Sequence, residues 1–206
     1  MKTLTSLVAA ALLTCLSLAV QGADLGHLQS RWAEIRYHLP AEQQVAAYAS
    51  LAAEAESLAH VDPDNAALLI WQGIILSSWA GAEGGLGALD KVKRARSVLE
   101  KALAIDALAL DGSAYTSLGA LYYQVPGWPL AFGNKKQAEK LLLQALDINP
   151  DGIDSNYFWG DYLVQQKRYA EARSALLKAQ AAPARPGREL ADRGRQGEIL
   201  QLLERL

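Results

Sequence analysis

With 206 residues, 20 basic and 22 acidic side chains and a pI near 5.9, the chain has room for one ordinary domain and no charge excess suited to nucleic acid. Its one cysteine, Cys15, lies in an apolar run near the N-terminus. Once that run is removed, thiol catalysis, disulfides and thiolate metal sites are excluded together.

In chain order, Lys2 precedes the uncharged run Leu7–Val20 and the small-residue stretch Val20-Gln21-Gly22-Ala23. This order predicts a secretory signal over residues 1–22 and a periplasmic or secreted product. The run is short of the about 20 residues that span a bilayer. Thr14 precedes Cys15, and Leu16, Leu18 and Val20 continue the run, which argues against a lipid anchor there.

Residues 23–206 then read as helix throughout. A first hairpin is expected over 24–63, with helices near Leu25–His38 and Ala41–His60 and an end at Pro63. A second is expected over 64–107, where Ala95, Val98, Leu99, Ala102 and Leu103 form one apolar stripe. The third, 111–150, repeats those offsets at Ala138, Leu141, Leu142, Ala145 and Leu146, and the fourth, 153–182, at Ala172, Ala175, Leu176 and Ala179. The last segment, 187–206, reads as a polar capping helix. Each stripe follows a helix that contains a glycine: Gly73, Gly119 and Gly160. A mid-helix glycine costs about 1 kcal/mol relative to alanine, so the recurrence implies close helix packing, glycine against the Ala95, Ala138 or Ala172 of the next helix. The glycine-to-alanine distances are 22, 19 and 12 residues, a common unit with inserts of 10, 7 and 0.

These residues resemble the tetratricopeptide repeat, a 34-residue helix–turn–helix unit. The matches are Tyr115, Leu118, Gly119, Tyr122, Ala138, Leu142, Ala145 and Pro150 in the third hairpin. Asn156, Trp159, Gly160, Tyr169, Ala172, Leu176 and Ala179 match in the fourth, and Leu69, Gly73, Leu76, Ala95, Leu99 and Ala102 in the second. The resemblance implies an all-α helical-hairpin solenoid that binds other proteins. The export signal, the inserts and the run Asp151-Gly-Ile-Asp-Ser-Asn-Tyr-Phe-Trp-Gly160 are also similar to the T-component family of TRAP-type transporters. That similarity implies a periplasmic accessory that associates with a solute-binding protein and handles apolar ligands.

The motifs that imitate chemistry do not complete it. Asp147-Ile-Asn-Pro-Asp-Gly152 opens like a calcium loop but has Phe158 where the bidentate Glu belongs. It reads instead as a helix stop at Asn149-Pro150, a turn at Gly152 and a cap at Asp154 or Ser155. Gly81–Gly87 is glycine-rich but follows no strand and lacks the Gly-Lys-Ser/Thr of a phosphate loop. His27, His38 and His60 lack metal-site spacing, and no Gly-x-Ser-x-Gly elbow exists. The chain therefore reads as a binding module without catalytic residues, metal or cofactor.

Groove-facing positions of the first helices are expected at Ile70, Ile74 and Ser77, then Thr116, Ala120 and Tyr123, then Tyr157, Asp161 and Val164. They offer no basic clamp, only an apolar-aromatic surface with one acid, suited to an apolar peptide, helix or small ligand. The two inserts, Trp79–Ala88 and Pro126–Asn134, fall in turns on one edge. Asn134 reads as the cap of the following helix. Trp128, Pro129 and Phe132 on that edge, with Trp79, Tyr123, Tyr157 and Asp161, are the candidate partner or ligand contacts. For Trp128 and Phe132 two readings stay open: outward, to bind, or inward, as a plug over the hairpin.

Overall fold

A computed structural model describes residues 24–206. The expected signal segment and Cys15 lie outside the described residues.

Helix α1 (24–37) pairs with α2 (Ala41–Val61), α3 (Ala66–Glu83) with α4 (Ala88–Ile105), α5 (Ala109–Gln124) with α6 (Lys135–Ile148) and α7 (Ile153–Gln165) with α8 (Tyr169–Gln180); α9 (Glu189–Leu203) follows. No strand occurs among the described residues. The architecture is an all-α, TPR-like stack of helical hairpins with a terminal helix. No described helix is long and apolar enough to cross a membrane.

The layering follows from the patterns. In α4, Val92, Ala95, Leu99 and Ala102 are buried, and in α6 Ala138, Leu141, Leu142 and Ala145, one stripe each with charge on the outer face. By contrast α3 is buried nearly all round, from Ala66 through Leu69, Trp71 and Ile75 to Ala80, because α2, α4 and α5 all pack on it. Helices α1, α3, α5 and α7 form the inner, concave layer.

The glycines set the spacing within hairpins through leucine rather than through the facing alanine. An added Cβ at Gly73 would lie 2.5 Å from Leu99 Cγ, at Gly119 2.7 Å from Leu142 Cγ and at Gly160 2.8 Å from Leu176 Cγ. Each leucine lies four residues beyond Ala95, Ala138 or Ala172. Those alanines are fully buried, but the leucine is the knob and the glycine the hole. Gly119→Ala should therefore cost about 1–3 kcal/mol by overpacking. Gly197→Ala in α9, where the methyl meets nothing within 4 Å, should stabilise by about 0.5–1 kcal/mol. Thermal melts of the two variants check both signs.

Three local departures matter later. Residues Trp79–Glu83 extend α3 instead of forming an insert, so the first turn is only Gly84–Gly87. The extension is pinned by Lys91, whose ammonium pairs with Glu83 and sits 4.3 Å from the centre of the Trp79 ring. At the start of α5, Leu110, Asp111 and Gly112 are all left-handed (φ 50°, 54° and 73°), and the helix runs properly only from Ser113. Two of the three carry a Cβ, at a cost of about 1–2 kcal/mol each. Finally, Gly152 rather than Asp154 or Ser155 occupies the cap position of α7. The Ser155 hydroxyl donates back to Asn149 O (2.6 Å), and the Asn156 amide donates to Pro150 O (2.8 Å).

The terminal helix does more than cover α8. Its Ala191 and Leu190 pack into the apolar cluster of α1 and α3, while Ile199 packs with Ile153, Leu176 and Ala179 at the other end of the chain. Gly194 abuts the Tyr37 ring of α1 so tightly that a Cβ there would overlap it. Arg36 of α1 donates to Glu198 of α9 at 2.7 Å. The stack of hairpins thus curves far enough for α9 to lie across the concave side and join the last repeat to the first.

Candidate functional site

Two places qualify: the edge that carries the turns, and the concavity that α9 closes.

On the edge, the 126–134 turn is a compact, self-bonded loop. Gly133 N donates to Pro126 O (2.9 Å), Leu130 N and Ala131 N both donate to Gly127 O (3.2 Å), and Asn134 N donates to Tyr122 O (2.7 Å). The Asn134 side chain then accepts from Gln137 N at 3.1 Å, starting α6. The Trp128–Pro129 peptide is cis. The two aromatics of the loop face opposite ways. Phe132 turns inward, edge-on to Tyr122 at 5.3 Å with the Arg96 guanidinium 4.9 Å from its ring centre. Trp128 points out at 90% exposure, beside exposed Pro129 and Leu130 (62%). Leu86 at the tip of the neighbouring turn is 81% exposed, with left-handed Gly84 and Gly85 before it. Arg96, on α4, ties the two turns' hairpins together.

The remaining predicted residues are dispersed. Trp79 is half-buried under Lys91. Tyr123 is buried, and its hydroxyl donates to Asp161 at 2.6 Å. Burial first, and the adjacent Asp161 carboxylate second, push that phenol well above its ordinary value. Tyr123 and Asp161 are therefore a packing pair between α5 and α7 rather than free contacts. Ile70 is fully buried, and Val164 packs in the cluster around Tyr162 and Leu163.

The concavity encloses about 530 Å³. Of the expected groove positions, Ile74, Ser77, Thr116, Ala120 and Tyr157 line it, and Trp32 and Trp71 add an aromatic wall, ring centres 5.8 Å apart. The expectation of a groove without basic groups needs correcting. Arg36 from α1 and Arg185, Arg188 and Arg195 from the C-terminal segment all reach the cavity. Three of them come from the C-terminal segment rather than from a repeat, and Arg36 comes from α1, the first helix of a hairpin for which no groove positions are expected from the sequence.

Most of this charge is organised around Asp154. Its carboxylate accepts from Arg195 Nε (2.8 Å) and Arg185 Nη1 (2.7 Å). Arg195 also reaches Glu198 (2.5 Å), and Arg185 reaches Asp192 (2.6 Å). Burial alone would push the Asp154 carboxyl up, but Arg195 and Arg185 outweigh it and hold the group well below the usual carboxylate range. The Arg195 guanidinium also lies 4.1 Å from the Tyr157 ring centre and 4.8 Å from that of Phe158. The Tyr157 hydroxyl, pushed by burial to about 12, stays protonated at neutral pH. Arg188 stands apart: its guanidinium lies 4.9 Å from the Trp71 ring centre, and its enclosed Nε has no hydrogen-bond partner.

No family model matches the chain, and no curated relative matches it. Among solved structures, it is similar to the crystal structure of MamA, with TM-score 0.47 and 18% identity, covering 77% of this chain and 86% of that one.

Proposed function

We propose that the chain is a periplasmic, non-enzymatic interaction module that docks a partner protein through the edge formed by its inserted turns. The observation that carries this reading is Trp128, 90% exposed on a loop whose own hydrogen bonds fix its position. An exposed tryptophan on a pre-ordered loop offers large apolar contact area at small entropic cost, the profile of an interface anchor. Pro129 and Leu130 extend the patch. Nothing in the fold needs the Trp128 ring, since Phe132 already fills the space over Tyr122.

Trp128→Ala should leave the melting temperature within about 1 °C while weakening partner capture from periplasmic extract by more than about 1 kcal/mol, roughly fivefold. A variant that melts several degrees earlier and captures normally would make Trp128 a packing residue. A second reading is supported by the aromatic cavity: a transporter accessory akin to the T-component family, which associates with a solute-binding protein and handles an apolar ligand. Recovery of a solute-binding protein in the same capture favours it; recovery of an envelope-assembly protein favours the scaffold.

A further inference from the structure

Ion pairs engage three of the four arginines that line the concavity. Arg36, Arg185 and Arg195 are each matched by Glu198, Asp192 or Asp154. The one left over is Arg188: its guanidinium lies over the Trp71 ring, its side chain has no ion pair or hydrogen bond to a described residue, and Asp154 and Asp192 act on it only at longer range, where burial and the neighbouring Arg185 outweigh them. Asp151, near the rim, is engaged by Lys178 at 3.2 Å, and Asp111 is exposed on the left-handed start of α5. A cation taken out of water without a counter-charge is costly, and proteins neutralise such groups by pairing them. Here no described residue pairs with the guanidinium, and the open space of the cavity adjoins it.

We propose that the concavity binds a small organic acid, its carboxylate on Arg188 and its apolar body against Trp71, Trp32, Ile74 and Phe158. A planar guanidinium with free N–H groups is the side chain best matched to a carboxylate. The enclosed volume of about 530 Å³ falls in the range of small-molecule sites. Its lining fits the same ligand: aromatic and aliphatic walls, one cationic end, and polar positions at Ser77 and Thr116. Arg185 and Arg195 are already engaged by Asp154, Asp192 and Glu198, so they frame the site and leave Arg188 as the anchor. This inference concerns the cavity alone and stands apart from docking at the Trp128 edge.

Calorimetry on the full chain tests it with matched probes: indole-3-acetate and 4-phenylbutyrate against their neutral amides. A tetrapeptide ending in a free carboxylate serves as the peptide source of the same group. The acids should bind at least about tenfold more tightly than the amides, and Arg188→Gln should erase that difference. The same variant, free of ligand, should melt no earlier than the parent, because it removes an unneutralised, partly buried charge. Trp128→Ala should leave acid binding unchanged. Equal affinity for acids and amides, binding of the tetrapeptide but neither acid, or undiminished acid preference in Arg188→Gln would each overturn the proposal.

Discussion

Asp154→Asn is expected to destabilise the chain by about 2–3 kcal/mol at pH 7, a fall of roughly 5–10 °C in melting temperature for a domain of this size. The substitution keeps the shape but removes the charge that Arg185 and Arg195 share. Arg195, with only 10% of its side chain exposed, then has Glu198 as its remaining acid. Removing one partner of a fully buried pair costs about 3–5 kcal/mol; the figure is reduced here because a third of the Asp154 side chain meets solvent. The pH dependence has a defined sign. The folded carboxyl is held below its unfolded value of about 4. Its contribution is therefore complete above that value and is lost as pH falls toward the folded one. The gap between parent and variant should narrow by about 1 kcal/mol on going from pH 7 to pH 3, read from denaturant melts at the two pH values. A gap independent of pH would mean that the ion pairs contribute nothing.

Gly194→Val is the second large effect. The side chain would enter the Tyr37 ring, and that ring cannot swing freely because it lies edge-on to Trp32 at 5.9 Å. The strain is relieved by moving α9, which draws Glu198 away from Arg36 and Arg195 away from Asp154. We expect a loss of about 2–3 kcal/mol and an increase in the radius of gyration by small-angle scattering. Unchanged scattering and melting would mean that α9 does not close against α1 in solution.

The two variants probe the part of the molecule that local pattern could not reveal. Period-3.6 stripes at Ala95–Leu103, Ala138–Leu146 and Ala172–Ala179 identify outer helices whose partners are next in sequence, and three recurring glycines mark their inner mates. Those features depend on neighbours, so they are legible residue by residue. The α1–α9 junction joins residues 162 apart, as between Arg36 and Glu198, and no local periodicity encodes it. Arg185, Asp192, Arg195 and Glu198 look like an ordinary solvated face because alternating charge on a helix usually is one. One signal was present: Arg188, Ala191, Arg195 and Ile199 stand at i, i+3, i+7 and i+11, arginines sharing a stripe with apolar residues. A purely solvated cap has no reason to place them together. Asp154 was hidden for a different reason. An acid just after a Pro-Asp-Gly turn matches the chemistry of a helix cap, and only the distant arginines make it a hub instead. The edge was legible as a place but not as a division of labour, since nothing in the loop sequence says that Phe132 turns in and Trp128 out.

Joining the last helix to the first also bears on how the molecule comes apart. An open array of hairpins behaves as a one-dimensional chain of nearest-neighbour couplings, so its end units fray first and its stability grows roughly by addition. Linking the ends makes the array cyclic: no unit is terminal, and loss of α9 withdraws support from α1 as well as from α8. Shortening the chain at its C-terminus would then loosen amide-exchange protection at its N-terminus.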